Sequence, residues 1–352
     1  MEVWILYGDD IESNADLAHE VRRFKEEAAR LNIDLKVHKP ADFDILISDS
    51  TRDSILIQGK PVPLPDVVYP YFNHGDHSYF NMAIVRQLER SGVLVYNNAE
   101  TIEKVRDKLH THQIIAEEGL PSPDTMLAKF PIDDNMMEIV EKRLGFPLIV
   151  KTLDGALGTG VFLMENPKSF RDLMDMIGQT SPDIQLLFQK FVAASKGRDL
   201  RLFTVDGQVV ASMERRAKEG DFKANYSAGG SVHAFTPDAT AIDIALRTVS
   251  CLNIQIGGVD LLFLEGGGYT VCEANTFPGF KGLEKASGVN VPEVIFKSME
   301  RRLAAHKKAK QAHKAVTVIP KPSGVSIIGP AREVISRWYD EAKRRWFSRK
   351  AA

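Results

Sequence analysis

Apolar positions in the first hundred residues alternate between short strand-like runs and helix-spaced stripes. Val3–Tyr7 is an apolar strand, and Asp16–Leu31 spaces Leu17, Val21, Phe24 and Ala28 along one helical face. Leu35–His38, Ile55–Ile57 and Asp66–Tyr71 read as further strands, with Gly59-Lys60-Pro61 as a hairpin turn. A helix over Met82–Ser91 stops at Gly92 and feeds the strand Val93–Tyr96. This β/α alternation predicts an open, mostly parallel sheet.

The pattern changes near Asn98. A helix over Thr101–Glu118 is expected to end at Gly119, and Pro121 and Pro123 mark an extended connector. An acidic helix around Met136–Leu144 and the strand Pro147–Lys151 follow. A glycine-rich loop then leads to the strand Val161–Met164 and a helix over Ser169–Ile177. From Leu186 into the 290s the chain is strand-rich, interrupted by a helix at Ala239–Leu252. Ala274–Val291 reads as a loop and Pro292–His306 as a helix. Lys307–Lys314 is a helix end or a linker, and a final amphipathic helix is expected over Ala331–Lys350, with Trp338, Tyr339 and Trp346 on one side.

Composition adds bounds to this picture. The 352 residues are 44% apolar and 26% charged, values of a globular chain with two or three domains. No apolar run approaches the ~20 residues of a membrane span. The start Met1–Tyr7 lacks the basic segment of a signal peptide. Cys251 and Cys272 are the only cysteines, which fits a reducing compartment, so a cytoplasmic protein is expected. The net charge of −2 hides an asymmetry: residues 301–352 carry 14 Lys/Arg against 3 Asp/Glu. Such a tail would attract an acidic partner; a solvated helix face or a subunit contact is the plainer alternative.

Three segments carry candidate chemistry. The first is Lys151 followed by Gly155, Gly158 and Gly160. A lysine at a strand end beside a loop rich in backbone N–H groups suits phosphate oxygens, although a glycine-rich hairpin is also an ordinary turn. It is neither a Walker loop nor a dinucleotide fingerprint, because a strand and not a helix follows. The second is Asp260 with Glu273 and Asn275. Gly266-Gly267-Gly268 would turn the strand carrying Asp260 back against the strand carrying the other two. Those two share a side, giving hard oxygen donors suited to Mg²⁺ held jointly with phosphates. The third is the cationic run Glu214–Asn225, containing Arg215 and Arg216; alone it reads as a solvated charge run, but arginines there would suit developing negative charge. His74 and His77 form a weaker pair, more simply a hydrogen-bonded turn than a metal site.

In order along the chain, these segments resemble the ATP-grasp superfamily, and among its members the RimK-type glutamate ligases. Arg106-Asp107-Lys108 is similar to that family's first lysine segment. Glu214–Gly230 is similar to its ERRAKEGDFRSN…GG signature, and Cys272–Gly279 to its MEVNASPG segment. Lys190 departs from the pattern, standing where an acidic residue is usual.

The resemblance implies an α/β (α+β) ATP-grasp fold. Its parts would be an N-terminal pre-ATP-grasp α/β domain over 1–97, a small lid-like domain over 98–185, a C-terminal antiparallel-sheet domain over 186–306, and a basic extension over 307–352. It further implies that Lys108, Lys151, Gly155, Gly158 and Gly160 contact ATP phosphates. Gln189, Lys190, Phe191 and Val192 would line the adenine, and Asp199 would hold the ribose. Asp260, Glu273 and Asn275 would bind two Mg²⁺ or Mn²⁺ ions, while Arg201, Arg215 and Asn225 would stabilise the transferred phosphoryl group. The implied reaction joins L-glutamate, singly or as a poly-α-glutamyl chain, to a protein tail, a cofactor or free glutamate through an acyl phosphate. Ligation of other amino acids into dipeptides and a non-catalytic ATP-binding role are the alternatives. The same resemblance implies a homo-oligomer with no membrane or nucleic-acid partner.

Overall fold

The strand Glu2–Leu6 lies at the centre of the N-terminal sheet, between Asp34–His38 and Val67–Pro70, and Leu94–Val95 completes the order. All three pairings are parallel, as the β/α alternation predicts. The computed structural model describes residues 1–8, 19–47, 54–72, 78–128, 132–153, 160–181, 184–224 and 229–317. Gly155, Gly158, Asn225, His74, His77 and the helix expected over 331–350 lie outside the described residues. Helices His19–Arg30 and Tyr79–Arg90 bury Phe24 and Ile84 against this sheet's core. A small antiparallel sheet of Phe43–Ile45, Ile55–Ile57 and Lys60–Pro61 follows, and its turn falls at Gln58-Gly59, both at positive φ. Lys60-Pro61 is therefore the returning strand and not the turn.

The helix expected over Thr101–Glu118 is two helices, Ala99–Arg106 and Lys108–Glu117. Asp107 is extended between them, and its carboxylate accepts from the His110 N–H, capping the second helix. A short acidic side chain competes well for a free N–H at this place, which explains the break. Lys108 is thereby set in the first turn of a helix.

The middle sheet is antiparallel, in the order Val161–Met164, Leu148–Thr152, Leu186–Lys190, Thr125–Ala128. The last of these strands in chain order, Leu186–Lys190, lies beyond the boundary expected at 185/186. Two-residue periodicity divides the faces. Leu148, Val150, Leu186 and Phe188 enter a core with helices Asp134–Leu144 and Pro167–Thr180, while Ile149, Lys151 and Gln189 face the other way.

The C-terminal sheet has five antiparallel strands in the order Ser231–Ala234, Gln208–Arg216, Arg198–Val205, Ile256–Phe263, Tyr269–Asn275. Leu200, Leu202, Val259, Leu261 and Ala274 pack one face against helix Ala239–Cys251. The stretch Ala274–Val291, expected to be a loop, contains helix Lys281–Ser287, ended by Gly288 at φ 70°. Helix Val291–Thr317 continues past the expected end at His306.

The N-terminal sheet and the C-terminal helices share a core. Phe24 stands edge-on to Phe280 and Phe296, each at 5.6 Å between centroids. Interlocked rings of this kind contribute about 0.5–1.5 kcal/mol per pair beyond their burial. Asn97 adds a polar tie. Its amide Nδ2 donates to the carbonyls of Ile256 at 2.6 Å and Thr276 at 2.8 Å, and its Oδ1 accepts from the N–H groups of Gln255 and Ile256. This tie fixes the start of the strand that carries Asp260.

Candidate active site

The face of the C-terminal sheet turned away from helix Ala239–Cys251 is apolar at Phe203 and Val205 and becomes charged at Asp199 and Arg201. Register pairs Asp199 with Arg215, Arg201 with Asp260, and Asp260 with Glu273, so five side chains from four neighbouring strands meet in a row. Arg201 grips Asp260 with Nε to Oδ1 at 2.7 Å and Nη2 to Oδ2 at 2.6 Å. Arg215 reaches Asp199 through Nε at 2.6 Å and Nη2 at 2.8 Å, and the same Nη2 donates to Asp260 Oδ2 at 2.7 Å. A bulge between Asp260 and Leu261 lets Glu273 face Asp260 while Val271 still enters the core. Asn275 lies two residues further on the same side and donates to Glu273 Oε1 at 3.3 Å.

Asp260 is 1% exposed. Burial works against its charge, yet Arg201 and then Arg215 hold it well below the usual carboxylate range. Asp199 is pushed up to about 6, chiefly by burial, with Arg215 opposing the shift and Asp260 adding to it. Burial also disfavours the charge of Arg215, but Asp260 and Asp199 outweigh it and keep the guanidinium ionised. Arg216 points elsewhere: it pairs with Glu214 of its own strand at 3.0 Å. The adjacent arginines of the charge run therefore have separate surroundings, and only Arg215 joins the row.

The face of the middle sheet turned away from its two helices contributes the second half of the site. Lys151 Nζ donates to Gln189 Oε1 at 2.7 Å. Lys108 Nζ donates to the Leu153 carbonyl at 2.6 Å, just before the glycine-rich segment. Gly160, at φ 72°, closes that segment, and a Cβ there would lie 2.2 Å from Thr152 Oγ1, so the position requires glycine. Lys190 is exposed, and Phe191 and Val192 are half-buried beyond the strand end.

Lys108, Lys151, Gly160 and Gln189 thus cluster on the middle sheet, and Arg201, Arg215, Asp199, Asp260, Glu273 and Asn275 on the C-terminal sheet. The carboxylate of Asp199, expected to hold the ribose, pairs with Arg215. Two features escaped sequence reasoning. The first is the pairing of Asp199 with Arg215, which needs the strand register. The second is a polar group around buried Gln189, made of His112, Ser122 and Thr125. Its only trace in the sequence is that His112 follows Lys108 by one helical turn.

Asp260, Glu273 and Asn275 fit a divalent cation by donor chemistry. All three offer hard oxygens on one side of a hairpin. The arginines use three of the about four lone-pair positions of Asp260, leaving about one for a metal. Among the described residues no group of three His, Cys, Asp or Glu could hold a metal ion unaided. A cation here would rely on two carboxylates, one amide and oxygens from a substrate.

Comparison with known proteins shows the family. The RimK-like ATP-grasp domain matches residues 105–299, and the RimK pre-ATP-grasp domain matches residues 1–102. A probable alpha-L-glutamate ligase of Sodalis glossinidius is 33% identical over 80% of this chain and 93% of its own length. The ribosomal protein bS6–L-glutamate ligase of Escherichia fergusonii is 32% identical over 80% of this chain and 91% of its own. Among solved structures, the ATP-grasp ligase PsnB complexed with a minimal precursor superposes with a TM-score of 0.66 at 18% identity, over 87% of this chain and 98% of that one. ATP-grasp ligases use ATP and divalent metal ions, and the chain belongs to the RimK-like ATP-grasp family.

Proposed function

We propose that the protein is an ADP-forming ligase that joins L-glutamate to a carboxylate of a protein or peptide acceptor through an acyl phosphate. The observation that carries this reading is the Arg201–Asp260–Arg215 row facing Glu273 and Asn275. It gathers anion-stabilising donors and oxygen ligands for a metal on one sheet face. The choice of glutamate rests on the names of the two relatives.

A carboxylate is a weak electrophile, so the γ-phosphoryl group of ATP first passes to it, releasing ADP. The amine then attacks the acyl carbon, a tetrahedral oxyanion forms, and phosphate leaves. Lys151 and Lys108 bind the phosphates of ATP. Arg201 and Arg215 are held rigid by Asp260 and Asp199, so their donors are oriented before charge develops. Asp260, Glu273 and Asn275 would hold Mg²⁺ or Mn²⁺, which supplies Lewis-acid stabilisation of the transferring phosphoryl oxygens when bound. No step needs a serine or cysteine nucleophile.

The test is ADP release with Mg²⁺ and ATP across the twenty amino acids, with and without an acidic peptide acceptor, followed by mass spectrometry. Products heavier by glutamyl steps are expected. Turnover with another amino acid alone would replace glutamate by that substrate. No ADP release under any condition would overturn the ligase reading.

A further inference from the structure

Lys151 is held by a chain of side chains, centred on buried Gln189 and His112, whose hydrogen-bond polarity can be worked out atom by atom. An ammonium only donates, so the atom of Gln189 that meets Lys151 Nζ at 2.7 Å is the carbonyl oxygen Oε1. The amide Nε2 must then face the other way. It donates to Thr125 Oγ1 at 2.8 Å and lies 3.2 Å from His112 Nε2. Two hydrogens meet two acceptors, which requires a lone pair on His112 Nε2. The ring proton consequently sits on Nδ1 and is donated to Ser122 Oγ at 3.0 Å. Gln189 and His112 are both buried, at 3% and 9% exposure, and Gln189 sits on the strand that neighbours Lys151. Burial, with the charge of Lys151 adding to it, lowers the His112 pKa to about 4, consistent with a neutral ring.

We propose that His112 is a positioning residue for nucleotide binding: its Nε2 lone pair fixes the orientation of the Gln189 amide, which in turn presents an oxygen to Lys151 and aims the ammonium at a nucleotide phosphate. The proposal rests on the reading that Lys151 meets ATP phosphates. Without the imidazole acceptor, one amide hydrogen loses its partner. The amide is then held by Thr125 alone on that side, so the oxygen it presents to Lys151 is no longer fixed in place. Helix Lys108–Glu117 thus contributes at both ends of one turn: Lys108 to the Leu153 carbonyl, and His112 to the amide beside Lys151.

The experiment measures binding of the non-hydrolysable analogue AMP-PNP with Mg²⁺ by calorimetry, on the full chain and without any acceptor. His112→Leu, which keeps the bulk and removes the acceptor, is expected to weaken binding about tenfold. His112→Gln restores an acceptor oxygen and is expected to stay within about threefold of the parent. Lys151→Ala is the control: if it binds AMP-PNP as tightly as the parent, the phosphate role of Lys151 fails and the proposal falls with it. If Lys151→Ala weakens binding while His112→Leu does not, the relay alone is overturned. A second measurement needs no variant. The ¹⁵N–¹H spectrum of the imidazole rings at pH 7 should show His112 protonated on Nδ1, and a proton on Nε2 would refute the relay.

Discussion

Arg201 and Asp260 meet fork to fork across two strands, at 2.7 and 2.6 Å, with the carboxylate almost fully buried. Lysine cannot reproduce this geometry, because a point charge offers no parallel pair of N–H groups. In Arg201→Lys the second oxygen of Asp260 is left to Arg215 alone. The ligation rate is expected to fall about 10²–10³-fold, the scale of losing one oriented donor. Affinity for AMP-PNP should change less than about threefold, since the residue acts on charge that develops later. Steady-state ADP release and calorimetry on the same preparation separate the two. Equal losses in both would assign Arg201 to ground-state binding.

Glu273 stands opposite Asp260 and is half-buried, with Asn275 donating to it at 3.3 Å. A carboxylate in that position is available for a cation. Glu273→Gln keeps size and one oxygen while removing the charge. Turnover is expected to fall by at least about 10²-fold, and the Mg²⁺ concentration for half-activation to rise about tenfold. The urea midpoint should stay where it is, because no buried ion pair is broken. A Mg²⁺ titration that superposes on the parent's would remove Glu273 from the ligand set.

Asn97 makes four hydrogen bonds to backbone groups of the segments around Ile256 and Thr276 while sitting at φ 52°. Asn97→Ala leaves buried carbonyls and N–H groups without partners and places a Cβ residue with no compensating bond in the left-handed region. A loss of about 3 kcal/mol or more in urea unfolding is expected. Asn97→Gly should recover about 1 kcal/mol of this, the part due to backbone conformation. If the two variants were equally stable, conformation would contribute nothing.

Much of this architecture was legible in the sequence where periodicity is local. Val3–Tyr7 and Val161–Met164 announce strands by apolar content, and Gly266-Gly267-Gly268 announces the turn that sets Glu273 against Asp260. The break at Asp107 was not legible, because one N-cap side chain outweighed a continuous helical pattern. Nor was the sharing of Arg215 between Asp199 and Asp260. It depends on which strands become neighbours, and Arg198–Val205 lies between its hairpin partner Gln208–Arg216 and Ile256–Phe263, which is distant in sequence. Side chains proposed to bind through their own segment, such as Lys151, are marked by local sequence; one proposed to act through a neighbour, such as His112, needs the fold.

His112 gives stability a pH dependence whose sign can be worked out. Its pKa is about 4 in the folded protein, against 6.5 for the unperturbed ring. Between these values the unfolded chain binds a proton that the folded one does not, so stability rises with pH across the window and is lost as pH falls from 6.5 towards 4. From pH 7 to pH 5 this loss amounts to about 2 kcal/mol. Asp199 acts in the opposite sense, since its pKa is raised to about 6 in the folded protein and the fold gains from its protonation as pH falls. The raw pH profile of the parent therefore mixes two effects of opposite sign. Subtracting the profile of His112→Leu isolates the first, because the leucine cannot titrate and Asp199 is present in both proteins. Urea unfolding at pH 7 and pH 5 should show the parent losing about 2 kcal/mol more than His112→Leu over that interval. An equal change in the two proteins would mean that the ring is already protonated at pH 5, and its lone pair would then be unable to hold Gln189.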